Sequence, residues 1–190
     1  MAIRDTIRRK LTYEDYLLFP EDGLRHEILD GEHYVTSAPS RWHQTASANL
    51  TYFLVGFLRR NRLGQVFTAP FEVVLSEHDV VQPDLLFLSN ERLGILTEKN
   101  VQGAPDLVIE ILSDNTRRRD ETVKRDRYEG FGVLEYWLVD PQRQTVRIYR
   151  RSDAGFGAAL ELSTAAGDVL TTPLLPCLEI PVGEIFDQAV

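Results

Sequence analysis

The amino-acid sequence predicts a single α/β domain in which a mixed sheet is flanked by helices. Three observations lead to this fold class. Apolar residues recur at helical spacing after residue 40, three β-prone runs follow, and a charged helical stretch then separates two very apolar runs. The predicted core order is therefore αβββαβ, preceded by a hairpin. The chain of 190 residues is long enough for one sizeable core, and because no repeat or linker interrupts it, residues 1–190 are predicted to form one domain.

The first two elements are a hairpin and a long helix. Two short β-prone runs between Arg25 and Val35 flank Asp30-Gly31, a pair that suits a type I′ turn. Ser40 is a good N-cap for the helix that follows, and Gly64 is predicted to end that helix region.

Three strands and a crossover helix are predicted next. The strands are "QVFTAPFEVVLSE", which contains a proline irregularity, "VVQPDLLFLS" and "PDLVIEILS". Residues Asn115 to Glu129 resemble a charged helix closed by Gly130 and Gly132, and "LEYWLVD" and "TVRIYRR" form the next two strands. The apolar density of the strands on either side of this helix suggests a parallel crossover covered on both faces.

Composition restricts the possible functions. A net charge of −8 argues against non-specific nucleic-acid affinity, although clusters such as Arg117-Arg118-Arg119 leave room for one basic face. No apolar run approaches the length of a membrane helix, and the N-terminus does not resemble a signal peptide. The single Cys177 excludes an intrachain disulfide. We therefore expect a cytoplasmic protein with no membrane association.

Two carboxylates stand in the most apolar strands. Glu110 lies inside "DLVIEIL", and Asp84 follows Pro83 at the start of "DLLFLS". A buried, unpaired carboxylate costs several kcal/mol, and two that converge at one sheet edge repel each other. A divalent cation removes that repulsion, and Mg²⁺ prefers sites with one or two carboxylates and several waters.

Five ordered blocks carry a resemblance to a known superfamily: "HEILDGE", "APSRWHQ", "VVQPDLLFLS", "GAPDLVIEILSDNT" and "RDETVKRDRYEGFGVLEYWLVDP". Together they resemble the restriction-endonuclease-like PD-(D/E)XK superfamily and, within it, a large bacterial family of single-domain endonucleases. The resemblance runs from about Tyr13 to Pro141.

The resemblance implies a role for each matching residue. Asp84 and Glu110 would hold Mg²⁺ or Mn²⁺, with the backbone carbonyl of Ile111 as a further ligand. The motif lysine should lie two residues after the glutamate, but Leu112 occupies that position, so Lys124 on the following helix is the match. Glu27 matches a glutamate of the hairpin block and is an extra candidate acid.

Each of these residues has a simpler alternative explanation. Asp84 could be a turn residue, and Lys124 could pair with Asp120 on a solvated helix face. Glu110 could pair with an arginine such as Arg117 or lie at an exposed strand end. Glu27 could belong to a charge pair within the hairpin.

Six further residues also have a structural or a functional interpretation. Nucleic-acid contacts are predicted for His43, Arg117 and Arg118, for which a structural hydrogen bond and a solvated helix start are the alternatives. Asp106, in a second Pro-Asp pair, would lie ~13 Å from Glu110 along one strand and is predicted to be structural. Trp42 and Trp137 are expected to be packing residues.

The predicted function is a Mg²⁺-dependent endonuclease in which a metal-activated water hydrolyses phosphodiester bonds, with DNA as the expected substrate. Lys124 would orient the water or stabilise charge in the transition state. We expect a homodimer, with the apolar tail "LLPCLEIPVGEIF" as a possible interface. Two alternatives remain: a non-catalytic nucleic-acid-binding or regulatory module on the same fold, and a hydrolase of a smaller phosphodiester.

Overall fold

The computed structural model describes residues 9–188 of the chain. It contains the helices α1 (Tyr13–Tyr16), α2 (Arg41–Asn61), α3 (Arg117–Arg119), α4 (Arg125–Phe131) and α5 (Val182–Phe186), a 3₁₀ turn (Leu93–Ile95) and a π-helical segment (Asp120–Lys124). The strands are β1 (Arg25–Leu29), β2 (Glu32–Thr36), β3 (Gly64–Thr68), β4 (Glu72–Ser76), β5 (Asp79–Val81), β6 (Leu85–Ser89), β7 (Asn100–Gln102), β8 (Leu107–Ile111), β9 (Glu135–Asp140), β10 (Thr145–Ser152), β11 (Gly155–Phe156), β12 (Leu160–Ser163), β13 (Val169–Leu170) and β14 (Ile180–Pro181).

A seven-stranded mixed sheet forms the centre of the domain. Its order is β11-β10-β9-β8-β6-β3, and β12 pairs with β10. The β8–β9 pair is parallel, whereas β3–β6, β6–β8 and β9–β10 are antiparallel. Within this sheet the elements follow the predicted order αβββαβ, and the crossover between β8 and β9 is parallel as expected. The predicted fold class is therefore confirmed.

A second sheet, β2-β1-β5-β4-β7, was not distinguished in the sequence. Two sequence runs that we predicted to be single strands each divide into two strands, one in the central sheet and one in the second sheet. "QVFTAPFEVVLSE" divides into β3 and β4 around Pro70, and "VVQPDLLFLS" divides into β5 and β6 around Pro83. Proline lacks the N–H that a central strand donates, so a run that contains it tends to be interrupted there.

The hairpin and the long helix form as predicted, with one difference. Asp30 and Gly31 connect β1 to β2 with positive φ at both positions, as a type I′ turn requires. Ser40 caps α2 by accepting a hydrogen bond from the N–H of His43. The helix ends at Asn61, because Arg62 adopts the left-handed conformation; Gly64, which we predicted as the stop, instead begins β3.

The central sheet is covered on both faces. Leu107, Ile109 and Ile111 of β8 pack with apolar residues of α2 and the C-terminal segment, whereas Val108 and Leu112 pack against the crossover helix and the second sheet. This alternation along β8 places Glu110 on the same face as Val108, towards the crossover helix.

The C-terminal tail does not present its apolar residues to a partner. Leu175, Leu178, Ile180, Val182 and Ile185 are buried in the core that contains α2. Burial inside the domain removes the surface on which we based the predicted interface, so the expectation of a homodimer now lacks that support. Within residues 9–188 no helix combines the length and apolar character that a membrane span requires.

An ion pair holds the start of the crossover helix against the sheet. Arg117 donates two hydrogen bonds to Asp140 at the end of β9, at 2.6 and 3.1 Å. Burial alone would raise the pKa of Asp140, but Arg117 and the N–H groups of Arg143 and Gln142 lower it below its ordinary value of 3.8.

We predict that Asp140→Asn lowers the free energy of unfolding by about 1.5–3 kcal/mol, because it removes charge-assisted hydrogen bonds to a largely buried carboxylate. Since the folded pKa of Asp140 is depressed, its contribution is present above about pH 3.8 and is lost as the pH falls through the folded pKa. Urea unfolding at pH 7 and at the lowest pH that still supports folding measures both effects. Arg143→Gln is the control, because Arg143 is 73% exposed and 3.8 Å from Asp140; an equal loss in both variants would contradict the prediction.

Candidate active site

Asp84 and Glu110 face each other across two adjacent strands. β6 and β8 pair antiparallel with Leu85 opposite Ile109, so the residue before β6 lies opposite Glu110. Directly opposed residues of an antiparallel pair project from the same face of a sheet. The Asp84 carboxylate accepts a hydrogen bond from the backbone N–H of Ile111 at 2.8 Å, which fixes it beside Glu110.

Asp84 is a stable carboxylate. Arg25 Nη1 donates to Oδ1 at 2.7 Å, and His43 Nε2 lies 3.0 Å from Oδ2. Burial alone would raise the pKa of Asp84, but His43, Arg25 and the Ile111 N–H lower it to about 2. Asp84 is therefore ionised at neutral pH, and its two oxygens still have lone pairs for a further ligand.

The environment of Glu110 shifts its pKa in the opposite direction from that of Asp84. Lys124 Nζ donates to Oε1 at 2.9 Å and the Tyr128 hydroxyl donates to the same oxygen at 2.8 Å. Burial raises the pKa of Glu110 to about 8; Lys124 opposes this rise, and the charges of Asp120 and Asp84 add to it. Two neighbouring carboxylates thus have pKa values pushed far apart, which is typical of functional sites.

Lys124 is the centre of the cluster. Its ammonium lies 2.7 Å from Glu27 Oε1, 2.9 Å from Glu110 Oε1 and 3.8 Å from Asp120 Oδ1, and its side chain is 2% exposed. Burial by itself lowers the pKa of Lys124, but Glu110, Glu27 and Asp120 outweigh it and raise the pKa. Burial also raises the pKa of Asp120, to about 6.

The helix that carries Lys124 is locally unwound. Asp120–Lys124 is π-helical, a conformation that is frequent at functional sites, and the hydroxyl of Tyr136 donates to the backbone carbonyl of Asp120 at 3.0 Å. The residues Asp120, Lys124 and Tyr128 all face the sheet, as their spacing of four predicts.

These side chains line one cavity of about 370 Å³. Among the described residues, five buried side-chain atoms lack a hydrogen-bond partner, and four of them belong to residues that line this cavity: Glu27 Oε2, His43 Nδ1, Arg119 Nε and Asp120 Oδ1. Buried polar atoms are normally satisfied, so this concentration points to a missing polar ligand, ion or water.

The donor set fits Mg²⁺ or Mn²⁺ rather than a cage made only of protein ligands. Within residues 9–188 no group of three or more His, Cys, Asp or Glu side chains is arranged to hold a metal ion. Mg²⁺ instead uses one or two carboxylates and keeps several waters, which matches Asp84 opposite Glu110 in a cavity with unpartnered oxygens.

The structure brings Asp84, Glu110, Lys124, Glu27, His43 and Ile111 to this cavity. It does not bring Arg117 or Arg118 there. Arg117 is paired with Asp140, and Arg118 is exposed away from the cavity lining. The proposed alternative partner of Glu110, Arg117, is therefore not in contact with it.

Asp106 and the two tryptophans complete the comparison. Asp106 accepts a hydrogen bond from the Ser89 N–H at 2.7 Å and pairs with Arg92, so its predicted structural role is supported. Trp137 is buried, as expected for packing, whereas Trp42 is 42% exposed and lines the cavity. The expectation that Trp42 is a packing residue was wrong.

Sequence reasoning missed Arg25, and it considered Arg119 only as a member of the Arg117–Arg119 cluster. Arg25 pairs with Asp84, and Arg119 lies 3.5 Å from Glu27 Oε2. The signal for Arg25 was its position two residues before Glu27, because alternate residues of a strand share a face. The basic cluster Arg117–Arg119 was a candidate phosphate clamp, but the contact of Arg119 with Glu27 depends on tertiary packing and has no local signal.

A mixed sheet that brings opposed carboxylates and a helix lysine into one cavity defines a restriction-endonuclease-like domain. The chain matches the Uma2 family model, described as "Putative restriction endonuclease", over residues 13–183, and it belongs to that family. The family supports a nuclease as the general class of protein.

A structure titled as a putative nuclease belonging to DUF820 from Anabaena variabilis is similar at 20% identity and a TM-score of 0.78, covering 93% of this chain and 97% of that one, which shows a shared fold. The type IIG restriction endonuclease BpuSI aligns at 13% identity and a TM-score of 0.38, over 80% of this chain and 16% of that one. No curated protein matched the chain.

We predict that the melting temperature of the wild type in metal-free buffer falls as the pH rises from about 5 to 9. The folded pKa of Glu110 is raised from 4.5 to about 8, so its contribution to stability is complete below 4.5 and is lost as the pH rises through 8. Asp120, with a pKa raised to about 6, acts in the same direction.

Glu110→Gln should flatten this pH dependence, because the amide cannot titrate. Thermal melting by circular dichroism measures both proteins, and Glu161→Gln on the exposed face of β12 serves as the control, which should follow the wild type. A wild-type melting temperature that stays constant or rises over this range would contradict the prediction.

Proposed function

We propose that the protein is a Mg²⁺-dependent endonuclease that hydrolyses phosphodiester bonds of DNA. The observation that carries the proposal is the convergence of Asp84, Glu110 and Lys124 in one cavity, with Lys124 Nζ 2.9 Å from Glu110 Oε1. The lysine comes from the crossover helix, although the superfamily motif would place it two residues after the glutamate.

Asp84 and Glu110 would hold the divalent cation, and the backbone carbonyl of Ile111 is a further candidate ligand. When bound, the cation supplies charge neutralisation at the phosphate and a lowered pKa for water. Mn²⁺ could replace Mg²⁺ because both accept carboxylate and water oxygens. Glu27 is an additional acid in this cavity. Its Oε1 contacts the Lys124 ammonium, and its Oε2 has no hydrogen-bond partner.

The chain's own side chains would orient the reacting groups. Arg25 and His43 hold Asp84 in a fixed orientation, and Tyr128 and Lys124 do the same for Glu110. Lys124 is a permanent cation whose ammonium can donate to water or to a phosphate oxygen, so it stabilises negative charge as it grows in the transition state. Arg119 adds a second positive charge at the cavity wall.

A preorganised cluster of this kind favours catalysis over a purely binding role. A binding module needs cations towards a phosphate, whereas this cavity also contains four buried acids: Glu27, Asp84, Glu110 and Asp120. Carboxylates repel a phosphate unless a cation is present with it, and their burial is unfavourable for stability. We retain the homodimer as part of this proposal, because cleavage of both strands of a duplex, including one that is locally unpaired, would need two sites.

We predict that Asp84→Asn, Glu110→Gln and Lys124→Met each reduce the Mg²⁺-dependent cleavage rate by at least about 100-fold, since each removes a ligand or a charge that acts in the transition state. The measurement is the cleavage rate of fluorescently labelled DNA with and without Mg²⁺. Asp106→Asn is the matched control: it changes the other buried Pro-Asp aspartate and should reduce activity only through stability. Equal activity of all four variants, or activity that persists in EDTA, would contradict the proposal.

A second prediction tests metal binding separately from activity. Mn²⁺ should raise the melting temperature of the wild type in proportion to the logarithm of its concentration, because a ligand of the native state stabilises it. Asp84→Asn and Glu110→Gln should abolish the rise, and Asp106→Asn should retain it. If Mn²⁺ does not raise the melting temperature of the wild type even with a DNA oligonucleotide present, the result would contradict metal binding and favour the non-catalytic binding module.

A further inference from the structure

A second cavity, of about 290 Å³, adjoins the candidate active site. Its lining residues are Trp42, Pro141, Gln142, Gln144, Phe186 and Gln188. Trp42, Pro141 and Gln142 also line the first cavity, so the two cavities are neighbours that share these residues. Its volume is near the lower end of small-ligand pockets, about 300 Å³.

The two cavities differ in chemistry. The first contains the cations Arg25, Arg119 and Lys124 as well as the buried acids, which suits a phosphate and its cation. The second is lined by two aromatic residues, a proline and three glutamines, and none of these six residues carries a charge. The side-chain amide of Gln142 also donates to Asp114 at 2.8 Å. Aromatic faces stack on nucleobases, and amides donate to and accept from their edges.

Trp42 is placed to serve as a stacking surface. It lies in the first turn of α2, next in sequence to His43, and His43 contacts Asp84. The indole ring is therefore close to the candidate active site. The guanidinium of Arg41 lies 4.1 Å from the ring centroid, and Trp42 remains 42% exposed. The ring belongs to none of the three hydrophobic clusters of the described residues, so core packing does not account for it.

We propose that the second cavity is a nucleobase subsite in which Trp42 stacks on an unstacked base next to the scissile phosphate. The substrate would then be single-stranded or locally unpaired nucleic acid, because a base within a duplex is already stacked and paired. Cleavage at that phosphate rests on the proposed nuclease function, whereas binding of the base does not. The net charge of −8 weakens long-range attraction to the phosphate backbone, which makes a local stacking contact more important.

Tryptophan fluorescence tests this proposal without catalysis. The chain has two tryptophans, and Trp137 is fully buried with its indole N–H on Glu135, so base contact should quench Trp42 alone. The probes are a 12-nucleotide oligothymidylate and a strand of equal phosphate count whose residues are abasic, both with Ca²⁺ in place of Mg²⁺, so that a divalent cation is present without the octahedral geometry that Mg²⁺ requires. We expect saturable quenching by the oligothymidylate and a dissociation constant roughly 5- to 100-fold higher for the abasic strand.

Two variants and one control complete the test. The Trp42→Phe variant should show no quenching but should keep most of the affinity, which is measured by the fluorescence anisotropy of a labelled strand. The Trp42→Ala variant should bind the oligothymidylate only as weakly as the abasic strand. Tyr52→Ala is the control, because Tyr52 is a 74% exposed aromatic on the same helix that lines neither cavity.

Equal affinity for the two strands, no binding of either strand, or quenching that survives in Trp42→Phe would overturn the subsite. Base-dependent binding by a protein that cleaves no nucleic acid would support the subsite and contradict the proposed hydrolysis. Cleavage combined with base-independent binding would overturn the subsite and leave the hydrolysis intact.

Discussion

The burial of one ammonium group among carboxylates is the constraint on which the rest of the site depends. Lys124 contacts Glu27 and Glu110 directly, with Asp120 at 3.8 Å, and is 2% exposed. An ion removed from water costs several kcal/mol unless charges and hydrogen bonds compensate for it. This cluster explains why two of the most apolar strands contain carboxylates: Glu110 is paired with Lys124, and Asp84 is paired with Arg25 and His43.

The architecture brings these charges together from separate parts of the chain. Glu27 comes from the second sheet, Glu110 from the central sheet and Lys124 from the crossover helix between β8 and β9. The π-helical segment from Asp120 to Lys124 alters the helix at the position where it faces the sheet. The pairing still leaves buried oxygens of Glu27 and Asp120 without hydrogen-bond partners, and such atoms are expected where a ligand or ion completes the cluster.

Local patterns in the sequence predicted the parts of this structure that depend on local physics. Asp30-Gly31 predicts a tight turn because only a few residues accept positive φ, and Ser40 predicts a helix start because its side chain can accept an N–H. The shared helix face of Lys124 and Tyr128 follows from spacing alone. The resemblance to a known family then indicated which acids belong together, and the structure places Asp84 and Glu110 side by side.

The features that escaped prediction depend on long-range packing. An apolar run with a proline can bend or divide, and only the completed fold shows that Pro83 separates strands of two different sheets. Arg119 contacts Glu27 from 92 residues away in sequence, so no local pattern relates them. Trp42 is a large aromatic residue of the kind that usually packs in a core. Its exposure beside the cavity is visible only in the folded structure.

The most direct test of the central claim is a crystal structure of the protein grown with Mn²⁺, with data collected at a wavelength that gives anomalous scattering from manganese. The account predicts an anomalous peak within coordination distance of Asp84 and Glu110, with Lys124 still in contact with Glu110. A peak elsewhere in the molecule, or none at saturating Mn²⁺ with a DNA oligonucleotide bound, would contradict a metal-dependent active site in this cavity.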